Sequence, residues 1–146
     1  MINEPNIGMC FEEARTFLKV SEQLENDEET LFGGIFPYVV NSALACELFL
    51  KTIIMINSTP TQIVREHELT TLFNSLPTED QTNIKELFSR RMKHDFDSLI
   101  EEMSSTFVKW RYAYEQETIK INITGILTLA QVLNDYITEI YVDKGE

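Results

Sequence analysis

Two ionisable residues stand in the most apolar stretch of the chain: Glu47 and Lys51, four apart, with Ala43–Cys46 before them and Leu48–Leu50 between them. Glu followed by Lys at that spacing is the favourable orientation for an ion pair on one helix face. Among so many apolar neighbours the pair must be partly buried. Removing one partner would then strand the other, and a further charged group from another helix is expected nearby. The pair reads either as a register-fixing ion pair or as part of a functional polar cluster. A second constellation is Trp110-Arg111-Tyr112-Ala113-Tyr114-Glu115, where Arg111 and Glu115 form another four-residue pair and Tyr112 and Tyr114 supply hydroxyls. Arginine recognises carboxylate or phosphate bidentately, so Arg111 is expected to meet Glu47 or Glu115 inside the fold, or a phosphate from outside it.

Histidine changes charge near neutral pH and can act as a general acid or base. His67, in Arg65-Glu66-His67-Glu68-Leu69, is a candidate for that role or for helix capping, and is placed at the start of a short helix. His94 follows Arg90-Arg91-Met92-Lys93, a basic patch that reads as a solvated face balanced by nearby acids.

Other chemistries find little support. The two histidines and two cysteines match no metal-ligand spacing, so neither a metal nor a cofactor is expected. Cys10 and Cys46 lie in apolar stretches and read as two buried thiols. There is no Gly-rich phosphate loop and no visible Ser/His/Asp arrangement. The formal net charge of −12 argues against broad contact with nucleic acid or an anionic membrane, leaving a small local basic patch as the route to RNA. The first residues carry neither a basic segment nor a continuous apolar one, and a cytoplasmic protein is expected.

A chain of 146 residues, 43% apolar against 25% charged, has the size and composition of one globular domain, spanning residues 1–146. Five Gly and four Pro are too few for many-stranded β folds, and the apolar periodicity is helical throughout. A first amphipathic helix is predicted from about Asn6 to Leu24. A second is predicted from Ile35 to Ile56, approached through Gly33-Gly34, with Pro37 in its first turn. Being apolar around most of its circumference, it should form the centre of a bundle rather than a membrane span, where its Glu and Lys would be costly. A short helix follows over about Glu66–Leu76. Thr78 and Gln81 fit a capping box for the next helix, which reaches Met103 either continuously or with a break near Asp95–Asp97. Phe107, Trp110 and Tyr114 are spaced for a further helix, and Ile123–Tyr141 carries a near-heptad stripe. The prediction is an all-α, up-and-down bundle of five to six helices.

Three segments carry a family resemblance. Tyr38–Lys51 resembles the central helix of a bacterial subset of HEPN-domain proteins. His67–Pro77 and Phe107–Glu115 are similar to that subset in order and spacing, and the likeness extends over about Ala14 to Ile140. It implies a helical bundle that often dimerises and serves in toxin–antitoxin, abortive-infection or other antiviral defence systems. Catalytic members are metal-independent endoribonucleases that use an Arg, usually followed by a polar residue, and a His after four to six intervening residues, brought together by two protomers. Here Tyr112 follows Arg111, and Gln116-Glu117-Thr118 occupy the expected histidine positions, so Arg111 alone matches.

The resulting expectation is a homodimeric HEPN-type module that binds a partner or antitoxin protein, or an RNA or nucleotide. Its polar cluster would comprise Glu47, Lys51, His67, Arg111, Tyr112, Tyr114 and Glu115. The alternative is a divergent endoribonuclease in which His67 reaches Arg111 from another helix, with Tyr112 or Tyr114 assisting.

Overall fold

The computed structural model describes residues 4–26, 28–58, 64–104 and 123–143. Among these are six α-helices and no strand. They are α1 (Pro5–Asn26), α2 (Glu28–Ile56), α3 (Leu69–Asn74), α4 (Thr78–Arg91), α5 (Phe96–Ser104) and α6 (Ile123–Ile137), the last continued by a π-helical turn, Thr138–Asp143. The fold is the all-α helical bundle expected from the periodicity. The helix expected around Trp110 lies outside the described residues, as do Arg111, Tyr112, Tyr114 and Glu115.

α1 and α2 form an antiparallel hairpin. Cys10 meets Leu48, Phe11 meets Phe49, and Ser21 meets Tyr38, so one helix rises as the other descends. α6 lies along α2 in the same direction, since Cys46 meets Ile126 and Asn57 meets Tyr141. Leu18, Ala45, Phe49, Leu129, Val132 and Leu133 are among the side chains that fill the common core. The Pro37–Ile56 stretch of α2 is long and apolar enough to cross a membrane by length and composition, but most of that stretch is buried inside the bundle.

Several boundaries differ from the sequence prediction. α2 begins at Glu28 instead of Ile35 and runs through Gly33-Gly34, which leaves Pro37 in the helix interior and not in its first turn. Proline has no N–H, so the ladder loses its bond to the Gly33 carbonyl. Immediately beyond, Tyr38 and Val39 are fully packed, and that burial outweighs the local penalty.

The expected Thr78–Gln81 capping box does not form. Pro77 takes the N-cap position without a side-chain bond, and the Gln81 amide instead donates back to the Leu76 carbonyl at 2.8 Å. The break at Asp95 does form. Asp95 Oδ2 accepts from the Ser98 backbone N–H at 3.0 Å and from its hydroxyl at 2.7 Å, capping α5. Those two bonds, the hydroxyl's first, hold the Asp95 carboxyl below its ordinary range. α3 and α5 are tied by Thr70, whose N–H donates to the Ser104 hydroxyl at 2.8 Å.

Candidate functional site

Glu47 and Lys51 project from the same face of α2 and form the ion pair their spacing predicts, with Nζ 3.0 Å from Oε2. Their side chains are 8% and 11% exposed, so the pair is shielded from competing water. The third member comes from the connector between α2 and α3. His67 places Nδ1 3.2 Å from the same Glu47 Oε2, while its imidazole is 77% exposed. The sequence prediction places His67 at the start of a helix, but α3 begins only at Leu69 and His67 sits in the irregular connector before it. The Glu66 carboxylate shapes this connector locally, accepting from the N–H groups of Glu68 at 3.0 Å and His67 at 3.1 Å. Those bonds lower its pKa.

One buried carboxylate thus organises two cations or potential cations from different segments. A histidine held through Nδ1 by a carboxylate leaves Nε2 facing solvent, which is the base-and-orienter arrangement used in general acid–base chemistry. Glu47, Lys51 and His67 are therefore brought together as expected. Arg111, Tyr112, Tyr114 and Glu115, also assigned to the cluster, lie outside the described residues.

Beside the cluster, Lys51 helps to line a groove of about 260 Å³ between α1, α2 and Val64. Cys10 also lines it and is half-buried, unlike the fully buried Cys46, so the expectation of two buried thiols holds for Cys46 alone. Burial is the main cause pushing the Cys10 thiol pKa up, and a hydrogen bond with Thr52, then the charge of Lys51, partly oppose it. A second cleft, of about 630 Å³, lies between α3 and α5 and presents the carboxylates of Glu68, Asp97 and Glu101. Three acids make that cleft a poor receptor for phosphate.

The basic run Arg90–His94, from the last turn of α4 into the connector beyond it, is solvated at its arginines, where Arg90 pairs with Glu86 and Arg91 with Asp135 of α6. His94 departs from that expectation, being half-buried with its Nε2 shielded from solvent. Among the described residues no group of three His, Cys, Asp or Glu is placed to hold a metal ion.

A further polar node was not anticipated from the sequence. Asp80, in the first turn of α4, is buried and accepts hydrogen bonds from the hydroxyls of Tyr136 and Tyr141. Tyr141 lies 2.9 Å from Oδ1 and 3.0 Å from Oδ2, and its hydroxyl also accepts from the Asn57 amide at 3.2 Å. Burial first, then the neighbouring Asp80, pushes the Tyr136 phenol up; Tyr141 is pushed up to about 12, chiefly by burial. A signal for this node was present. Asp80, Ile84 and Phe88 are spaced by four, so a helix that buries the latter two turns Asp80 inward as well. The node ties α4 to α6, the π-helical turn and the end of α2.

No family model matches the chain, and no curated protein or solved structure matches it.

Proposed function

We propose that the chain is a HEPN-type helical module of a bacterial defence or toxin–antitoxin-like system, acting as a cytoplasmic homodimer by binding a partner protein or an RNA or nucleotide ligand. The observation that supports it most is the Glu47–Lys51–His67 cluster. A buried ion pair alone is explained by helix register, but an exposed imidazole anchored to that pair presents chemistry to solvent. It lies in two of the three segments that carry the family resemblance.

The test titrates the purified protein with short RNAs and with nucleotides, beside the His67→Ala variant, and measures its mass by light scattering. Binding by a dimer that His67→Ala weakens at least tenfold supports the reading. Binding indifferent to His67 places the ligand elsewhere and removes the cluster from the proposal.

The exposure of His67 favours a second reading, metal-independent RNA cleavage. His67 would take the 2′-hydroxyl proton, oriented by Glu47, and Arg111 would be the cation for the developing phosphorane charge. Incubation with a mixed RNA pool in the presence of a chelator separates the two. Cleavage abolished by both His67→Ala and Arg111→Ala replaces the binding module with the enzyme.

A further inference from the structure

Seven residues of the chain carry sulfur, five Met and two Cys, yet three of the eight residues lining the groove beside Lys51 are Met9, Cys10 and Met55. Chance placement would put fewer than one there. Met9 and Cys10 are neighbours on α1, and Met55 lies on α2, so the antiparallel hairpin brings together residues far apart in sequence. Met55 and Cys10 pack in one small cluster with Ile7, Ile56 and Val64. Met9 is 64% exposed, an unusual position for a large apolar side chain. The remaining walls are mixed: Leu48 and Val64 are apolar, and Asn6, Glu13 and Lys51 are polar or charged.

Thiolate and thioether sulfur are soft donors and select soft ions with no strong geometric demand. We propose that this groove binds one soft d10 monocation, Cu(I) in the biological case, through the thiolate of Cys10 and the thioethers of Met9 and Met55. On binding, the Cys10 S–H bond breaks, the proton leaves to water, and a Cu–S bond forms with no change in oxidation state. The thiol and the thiolate–Cu(I) unit carry the same net charge. The burial that disfavours a bare thiolate therefore does not disfavour the metal-bound one. The Cys10 Sγ–H contact to the Leu48 carbonyl, 3.3 Å, is a weak bond and is given up at small cost. Met9, being exposed and flexible, can swing over the ion without disturbing the core.

An anaerobic titration of the full chain with Cu(I), in competition with a coloured bicinchoninate chelator, tests this. One equivalent per chain should be withdrawn from the chelator. Cys10→Ser should abolish it, and Met9→Leu and Met55→Leu should each weaken it by at least about tenfold, the lower figure for loss of even an outer-shell partner. Cys46→Ser and Met92→Leu should leave it unchanged. Because Met9 is exposed, Met9→Leu keeps the test independent of any folding defect at the buried positions. Failure to compete for Cu(I), or full affinity in the Met9→Leu/Met55→Leu double variant, overturns the proposal, the latter by showing a thiol acting alone.

Discussion

His67 and Glu47, twenty residues apart, meet at 3.2 Å across the boundary between solvent and core, the imidazole mostly exposed and the carboxylate almost wholly buried. The contact fastens the irregular connector to α2 and places a titratable ring beside a shielded ion pair.

Because Lys51 has little access to water, Glu47→Ala should destabilise the fold by roughly 3–5 kcal/mol, the cost of stranding a buried charge. The double variant Glu47→Leu/Lys51→Met should recover most of that loss, since an apolar replacement of a buried pair is often neutral or stabilising. Denaturant melts of both variants decide it. A loss under about 0.5 kcal/mol for Glu47→Ala would mean the pair behaves as a surface one.

The Asp80 node makes a separate demand. Tyr136→Phe removes a hydroxyl bonded to a buried carboxylate and should cost about 1.5–3 kcal/mol in the same melts. Asp80→Ala should cost at least as much, because two phenol hydroxyls lose their acceptor. Additive losses in the Asp80→Ala/Tyr136→Phe pair would show that the two residues do not interact.

The same node sets an alkaline limit. Tyr141 titrates at about 12 in the fold, against about 10 for an ordinary tyrosine. Below about pH 10 both states keep the proton, and this stabilisation is fully present. As pH rises towards 12 the unfolded chain releases its proton first, so stability falls. Tyr141→Phe should flatten that part of the stability–pH curve. An unchanged slope above about pH 10 would count against the buried environment assigned to the phenol.

Asp95 governs the start of α5. Its carboxyl is held low by Ser98, so the cap stabilises the fold at neutral pH and is lost as pH falls through the depressed carboxyl range. Asp95→Ala should lower the thermal midpoint at neutral pH and make the melt less sensitive to acid. Equal midpoints for the two proteins at neutral pH would show that the cap contributes nothing.

These residues also mark what was legible in the sequence. The Glu47–Lys51 pair could be read because a single helix fixes both its spacing and its surroundings. Sequence suggests that His67 joins the pair but cannot fix its approach, since an irregular connector has no periodicity to orient a side chain. Pro37 and Gly33-Gly34 misplaced the start of α2 because local propensity yields to packing of the residues that follow. Asp80 sits in the run Thr78-Glu79-Asp80-Gln81, which reads only as a capping box opening a helix. Its burial depends on tyrosines more than fifty residues away, and only the four-residue step to Ile84 hints at it.

The proposed role of the cluster rests on Glu47 holding His67 through Nδ1, and nitrogen NMR of the labelled imidazole measures that bond directly. With His67 neutral, the carboxylate should fix the proton on Nδ1 and leave Nε2 unprotonated towards solvent, and Glu47→Ala should release that preference. A ring protonated on Nε2 in the native protein, with the same spectrum after Glu47→Ala, would contradict it.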